Sequence, residues 1–160
     1  MEIRKANSQD QEQVWQILQA INAKGDSFAF SPDISKEEML AYWFDEHKHT
    51  YVAVEGNEII GSFFFKDNQP GLGSHIANAA YAVSPKARGK GMGKIMGEFS
   101  LAEARRMSYT AMQFNLVVKT NEGAVKLWKS LGFEIIGEIP EAFKHSQLGF
   151  VNAYIMYRKL

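Results

Sequence analysis

A glycine-rich, basic segment lies between a predicted strand and a predicted helix of this chain. It runs Val83-Ser84-Pro85-Lys86-Ala87-Arg88-Gly89-Lys90-Gly91-Met92-Gly93-Lys94. Glycine lets a ligand approach the backbone closely, and the first turn of a helix has unpaired N–H groups that favour an anion. Residues 84–106 contain six basic and two acidic residues. The segment predicts a phosphate-binding loop, and a flexible turn with solvated lysines is the alternative.

Around this segment, hydrophobic patterning predicts seven strands and four helices. The predicted strands are residues 2–6, 50–55, 58–66, 75–83, 111–118, 133–139 and 151–158. The predicted helices are residues 8–23, 35–46, 91–107 and 121–131. In the second helix, Ser35 with Glu38 predicts a capping box. The order β-α-α-β-β-β-α-β-α-β-β predicts a single mixed α/β (α+β) domain over residues 1–160, with a largely antiparallel sheet.

The composition narrows the functional classes. The chain has 18 basic and 18 acidic residues, so its net charge favours neither nucleic acid nor an anionic membrane as a partner. It has no cysteine, which excludes disulfides, thiolate metal sites and a cysteine acyl-enzyme. The start is charged and the apolar runs are strand-sized, so we expect a cytoplasmic protein without a membrane span. His47 and His49 have no third ligand nearby, so we expect no metal site.

Two common nucleotide motifs do not account for the glycine-rich segment. A P-loop ends in Gly-Lys-Ser or Gly-Lys-Thr, whereas Lys94 is followed by Ile95. A dinucleotide-binding fingerprint follows the first strand of a parallel βαβ unit, whereas this segment follows a run of predicted hairpin strands.

Two motifs together resemble those of the GNAT superfamily of N-acetyltransferases. Arg88-x-x-Gly91-x-Gly93 after a strand resembles the acetyl-CoA motif, and Asn121-x-x-Ala124-x-x-Leu127-Trp128-x-x-x-Gly132-Phe133 resembles the second motif. One predicted helix and one predicted strand separate them, and the predicted element order is similar to the GNAT fold from end to end. The resemblance implies an acetyl-CoA-dependent N-acetyltransferase domain, with acetyl-CoA as cosubstrate and no metal.

The resemblance also implies where the coenzyme binds. In a GNAT fold, the strand before the loop bends at a bulge, and the sheet is splayed between the fourth and fifth strands. The pantetheine arm would lie in this gap against Tyr81, Ala82 and Val83, with a backbone N–H near Ala82 polarising the thioester carbonyl. Asn121 would cap its helix or bond the coenzyme arm. The pyrophosphate would be held by Arg88, Gly89, Lys90, Gly91, Met92, Gly93 and Lys94.

The implied reaction is direct attack of a neutral amine in a ternary complex, which needs a group to protonate the departing thiolate. Many family members have a tyrosine acid where this chain has Trp128, and an indole N–H is not a practical acid. Trp128 lies on the apolar stripe of its predicted helix, which favours a packing role. It could still shape the pocket and donate a hydrogen bond to sulfur. Protonation would then fall to water, Tyr81 or Tyr154.

The candidates that would remove the amine proton lie on the splayed strands. His75, Asn78 and Asn115 could hold a water chain to the amine, and the alternative for His75 is an ordinary histidine at a strand start. His145 lies in a predicted loop over residues 140–150. This loop would overhang the acceptor site, or His145 would simply be solvated.

The acceptor side is expected within residues 7–46, which contain eight acidic and two basic residues. Acidic walls would attract a cationic amine, although solvated helix faces explain the same composition. Aromatic residues of this region would line an apolar pocket or belong to the core: Phe28, Phe30, Tyr42, Trp43 and Phe44. The expected acceptor is a small amine or an amino-acid-like molecule. The alternatives are a protein N-terminus or lysine as acceptor, or a non-catalytic CoA-binding sensor domain, and a homodimer is a further expectation.

Overall fold

The computed structural model describes residues 1–160, which form one seven-stranded sheet in the order β1-β2-β3-β4-β5-β7-β6. The strands are β1 Glu2–Lys5, β2 His49–Glu55, β3 Glu58–Asp67, β4 Ile76–Val83, β5 Ala111–Val118, β6 Glu134–His145 and β7 Gly149–Lys159. The helices are α1 Gln11–Asn22, α2 Lys36–Trp43, α3 Met92–Arg106 and α4 Glu122–Ser130. All strand pairs are antiparallel except β4 with β5. The predicted fold class and element order are confirmed.

The sheet separates two hydrophobic cores. On one face, α1 and α2 pack against it, and the predicted apolar stripe of α1 is buried from Val14 to Ile21. On the other face, α3 and α4 cover aromatic side chains of the central strands, including Phe63, Phe65 and Phe114. Because alternate residues of a strand face opposite sides, the central strand β3 contributes to both cores. None of the helices is long and apolar enough to cross a bilayer.

Two local predictions need correction. Ser35 accepts a hydrogen bond from the Glu38 N–H at 3.1 Å, but no reciprocal bond from the Glu38 side chain forms, so only half of the capping box is present. The predicted loop over residues 140–150 is instead a β-hairpin, because β6 extends to His145. A register shift between Ile139 and Phe143, with a positive φ of 49° at Glu141, absorbs the irregular residues after Pro140 and lets the strand resume.

The sheet opens between β4 and β5. Their parallel pairing is confined to Ile76↔Ala111 and Ala77↔Met112, after which the two strands part. The expected bulge in β4 is absent, since its register with β3 runs without interruption from Asp67↔Ala77 to Gly61↔Val83. The irregularity lies in β5 instead, where its register with β7 shifts between Phe114 and Val117. The structure therefore has the predicted splay without the predicted bulge in β4.

Candidate functional site

A cleft of about 1090 Å³ follows the gap between β4 and β5. At one end it is lined by the glycine-rich loop and the start of α3, through residues such as Arg88 and Gly91. At the other end it is lined by the connection between α1 and α2, the end of β3, and His145. The cleft therefore connects the predicted phosphate loop with the predicted acceptor side.

The glycine-rich loop exposes its backbone to this cleft. Gly89 and Gly91 have φ values of 75° and 76°, the left-handed region that favours glycine, and a Cβ at either would meet no atom within 4 Å. Gly91 is the N-cap of the 15-residue helix α3. None of the backbone N–H groups from Arg88 to Lys94 donates a hydrogen bond within the protein. These free donors at a helix N-terminus form a cradle whose size and polarity fit a phosphate group.

The four basic residues of this loop differ in their surroundings. Lys86 pairs with Glu58 at 2.9 Å, and Lys94 lies 3.9 Å from Glu98. Arg88 has no carboxylate partner and lines the cleft, as does Lys94. Lys90 is exposed and lies outside the cleft lining. Arg88 is therefore the cation most available to an anion in the cradle.

The hydrogen bonds between β4 and β3 show that the expectation of an Ala82 N–H facing the gap is wrong. The Ser84 N–H bonds Ile60 O at 2.9 Å, and the Asn68 N–H bonds Ile76 O at 2.8 Å, so even-numbered residues form the hydrogen-bonded pairs with β3. In an antiparallel ladder this parity continues while the register is unbroken. The Ala82 N–H therefore faces β3 and is not available to a ligand. The N–H groups that face the gap belong to the odd-numbered residues, among them Tyr81 and Val83.

Trp128 lies in the wall between the cleft and the core. Its ring centroid is 4.7 Å from that of Tyr81 and 4.6 Å from that of Phe114, and only 8% of the residue is exposed. Its Nε1–H has no hydrogen-bond partner in the protein. Asn22 Oδ1 is the only fully buried side-chain N or O atom that lacks a partner, so Trp128 Nε1 is not fully buried. The indole N–H is therefore still accessible from the cleft, and the side chain packs as predicted.

Neither of the two candidate acids, Tyr81 and Tyr154, has its hydroxyl placed toward the cleft. The Tyr81 hydroxyl lies 2.6 Å from Ser100 Oγ, on the α3 side of the sheet. Burial raises the pKa of Tyr81, and the hydrogen bond to Ser100 opposes this only in part. Tyr154 does not line the cleft.

The polar residues predicted near the acceptor amine are only partly brought together. Asn78 donates to Gln113 O at 3.0 Å across the gap, and Asn115 donates to Asn68 Oδ1 at 2.7 Å. Both asparagines line the cleft. His75 does not, because it lies at the closed end of the strand pair and lines a separate pocket of about 440 Å³ with His49. No group of three or more potential metal ligands exists there or elsewhere.

Asn121 and His145 line the cleft but already have partners in the protein. Asn121 caps α4 by accepting from the Ala124 N–H at 3.3 Å. His145 Nδ1 accepts from the N–H groups of Gln147 and Leu148 at 3.1 and 3.2 Å. In the neutral ring, the proton then lies on Nε2, so His145 is arranged as a donor and not as a base.

The acidic acceptor wall that composition suggested is not formed. Of the eight acidic residues within 7–46, only Asp26 lines the cleft. Asp10 and Glu12 are engaged with Arg4 and Lys36 instead. Lys66 and Asn68, which sequence reasoning missed, do line the cleft. No local signal marks them, because they reach the site through the pairing of β3 with β4.

Comparison with known proteins gives consistent matches. The model of the acetyltransferase (GNAT) family matches residues 12–133. A GCN5-related N-acetyltransferase from Kribbella flavida has a TM-score of 0.95 and 36% identity, covering 99% of this chain and 97% of that one. The fold of yncA from Salmonella typhimurium, solved with its cofactor acetyl-CoA, is similar with a TM-score of 0.87 and 21% identity, covering 100% of this chain and 94% of that one.

A curated relative matches over a shorter region. N-acetyltransferase aca1 of Schizosaccharomyces pombe is 39% identical over 98 residues, covering 61% of this chain and 47% of that protein. The matched region therefore spans about half of that relative's length.

Proposed function

This chain belongs to the acetyltransferase (GNAT) family, and from that premise we propose that it transfers the acetyl group of acetyl-CoA to a primary amine. The main support for this proposal is the geometry of the glycine-rich loop and the cleft. A loop with free N–H groups from Arg88 to Lys94 opens onto a cleft between two parted strands. A diphosphate at one end of such a cleft and an extended arm along the gap match these two features. The presence of acetyl-CoA in the similarly folded Salmonella protein supports this assignment.

The residues fit the coenzyme in two places. The cradle of Arg88, Gly89, Lys90, Gly91, Met92, Gly93 and Lys94 would hold the pyrophosphate, with Arg88 adding a charge-assisted bond. The free N–H and C=O groups on the gap side of β4, at Tyr81 and Val83, would pair with the amide groups of the pantetheine arm as an added strand. Asn121, which caps α4 and lines the cleft, would lie beside that arm.

Bound acetyl-CoA supplies the activated acetyl group, and the chain would supply orientation and hydrogen bonds. A gap-facing N–H of β4, at Tyr81 or Val83 and not at Ala82, would donate to the acetyl carbonyl oxygen. Trp128 would form the wall beside the sulfur and offer its free indole N–H. Asn78 and Asn115 would position a water that takes the proton of the amine.

No side chain is placed to act as a strong acid for the departing thiolate. The Tyr81 hydroxyl is held by Ser100, and Trp128 cannot release its proton at neutral pH. We therefore assign thiolate protonation to solvent that enters the cleft.

The experiment that tests this function compares Gly91→Glu with Gly56→Glu. Both glycines have positive φ and open surroundings, so both variants have similar backbone strain, but only Gly91 borders the cradle. Gly91→Glu adds bulk and negative charge there, and we expect it to weaken acetyl-CoA binding at least about 100-fold by calorimetry. Gly56→Glu should bind as the wild type does.

Thiol release with a panel of amines then measures turnover. Wild type that binds acetyl-CoA but releases CoA with no amine or peptide of the panel would contradict the transferase function and favour a CoA-binding module. Unchanged affinity in a folded Gly91→Glu variant would show that the cradle lies elsewhere.

A further inference from the structure

The half of the cleft remote from the glycine-rich loop, here called the acceptor half, is bordered by Asp26, Phe28, Phe30, Lys66, Asn68 and His145. Lys66 pairs with Asn78 in the β3–β4 register, and Asn78 precedes Val83 by five residues. Five residues of strand span about 17 Å, so Lys66 is separated from the phosphate cradle by nearly the length of β4. Its ammonium group could therefore interact with a bound acceptor but is too distant to pair with the coenzyme's phosphates.

Lys66 is a half-buried cation without an ion pair. No carboxylate lies within 4 Å of its ammonium group, and the neighbouring carboxylate of Asp67 is engaged by the Tyr109 hydroxyl at 2.6 Å. Surface lysines usually extend into water, but this one lies in the wall of a cleft. A ligand anion is the partner that such an ammonium group lacks.

A second lysine adds to the positive potential of this corner. The Lys48 ammonium lies 3.0 Å from the ring centroid of Tyr42, which lines the cleft. Burial, and after it the charge of Lys66, lowers the pKa of Lys48 to about 8. The proximity of these two amines disfavours a further cation beside Lys66.

The acceptor half also contains one carboxylate and an apolar surface. Asp26 has no ion-pair partner, and its loop is held against the β6–β7 turn by the Ser146 N–H, which donates to Gly25 O at 2.9 Å. Phe28 and Phe30 pack edge to face with centroids 6.1 Å apart. An unpaired carboxylate, an unpaired ammonium group and an aromatic surface are thus complementary to a small zwitterion with an apolar side chain.

We propose that the acceptor is a small amine that also carries a carboxylate, of the amino-acid class, and that Lys66 selects it by pairing with that carboxylate. This inference rests on the proposed transferase function. It departs from the cationic acceptor that composition suggested, because a polyamine would place a second positive charge against Lys66. Lys66 would then be a specificity-determining residue, and because its charge lies far from the glycine-rich loop, we expect the Lys66→Met variant to retain the fold and the coenzyme cradle.

The test uses acceptor pairs that differ only in the carboxylate: leucine, phenylalanine and methionine against their carboxamides, with spermidine as the cationic acceptor. The carboxamides have the less basic amines, so amine basicity favours them and cannot produce a preference for the acids. We expect wild type to prefer the acids at least about tenfold in kcat/KM, the range of one charge-assisted bond.

Lys66→Met should remove this preference by raising KM for the acids, with kcat/KM for the carboxamides changed less than about twofold. Lys66→Arg should retain it, and the exposed Lys129→Met is the matched control.

Equal use of acids and carboxamides by wild type, or an equal loss on both in Lys66→Met, would overturn the proposal. Absence of turnover with every acceptor would contradict the transferase function. Calorimetric titration of the same acid and carboxamide pairs into the acetyl-CoA complex tests the role of Lys66 independently of turnover. Equal affinities for acid and carboxamide would overturn this role. A tighter binding of the acids that is lost in Lys66→Met would support it.

Discussion

At the scale of single residues, Trp128 has two environments. One side of its ring contacts Phe114 and Phe133 in the core, with centroids 4.6 and 6.0 Å away. The other side lines the cleft beside Tyr81, and its indole N–H has no partner within the protein. These contacts support a packing role for Trp128.

Replacing Trp128 by phenylalanine tests this role. An aromatic ring remains and no proton donor needed for turnover is lost, so we expect kcat within about fivefold of wild type and a loss of about 1 kcal/mol in unfolding free energy. Trp128→Ala should lose about 3–5 kcal/mol, as for other buried aromatic residues. Thiol release and urea unfolding measure both effects. Trp15→Phe, outside the cleft, is the control for the chemical change, and a thousandfold fall of kcat in a stable Trp128→Phe variant would place the indole N–H in the chemistry.

At the scale of elements, the end of the cleft beside the glycine-rich loop depends on how closely α3 approaches α4. Gly97 on α3 makes this possible, because a Cβ there would lie 2.5 Å from Leu131 Cδ1 and 3.4 Å from Trp128 Cζ3. Leu131 and Trp128 both belong to the core under these helices. The absent side chain at Gly97 thus lets the end of α4 pack against α3 and position Trp128 at the cleft.

Gly97→Ala is therefore expected to destabilise the protein even though alanine is the better helix former. Overpacking typically costs about 1–3 kcal/mol, and improved helix propensity recovers about 1 kcal/mol, so we expect a net loss of about 1 kcal/mol. Gly123→Ala in α4 is the matched control, because its Cβ would meet no atom within 4 Å. That variant should gain about 0.5 kcal/mol. Urea unfolding without coenzyme measures both, and a stabilised Gly97→Ala variant would contradict the close contact of α3 with α4.

At the scale of the whole molecule, one ion pair joins the edge strand β1 to the beginning of α1. Arg4 Nη1 and Nη2 each donate to one oxygen of Asp10 at 2.8 Å, and the Asn7 N–H donates to the same carboxylate at 2.8 Å. The Asp10 side chain is only 6% exposed. The hydrogen bonds from Arg4, against the opposing effect of burial, hold the pKa of Asp10 below its usual value.

Asp10→Asn should therefore lower the unfolding free energy at pH 7 by about 2 kcal/mol, the range for hydrogen bonds to a charged group. Because the folded-state pKa is lowered, the contribution of Asp10 is complete above the unfolded carboxyl pKa of about 3.9 and is lost as the pH falls through the folded value. The difference between wild type and variant should thus shrink below about pH 4. Urea unfolding from pH 7 to pH 3 measures it, with the exposed Asp33→Asn as control. A difference that stays constant down to pH 3 would exclude this ion pair as its source.

Much of the fold and one end of the site follow from short stretches of sequence. The apolar stripe of α1, the Asn121 cap and the glycine-rich loop before α3 each depend on residues within one or two turns of one another. Hydrogen-bonding and steric preferences act over that distance, so the element order and the position of the glycine-rich loop at the start of α3 could be predicted. His145 shows the limit, because the predicted loop around it is a hairpin whose bulge depends on pairing between β6 and β7.

The lining of the cleft remote from the glycine-rich loop depends on tertiary structure. Strand parity turns the Ala82 N–H toward β3, and the closed end of the β4–β5 pair places His75 in another pocket. The pairing of β3 with β4 brings Lys66 into the cleft, while most acidic residues of the first two helices remain outside it. The physical reason is that register and strand divergence are set by packing between residues distant in the chain. Local sequence therefore specified the glycine-rich loop at one end of the cleft, and long-range pairing specified which charges and backbone groups line the other end.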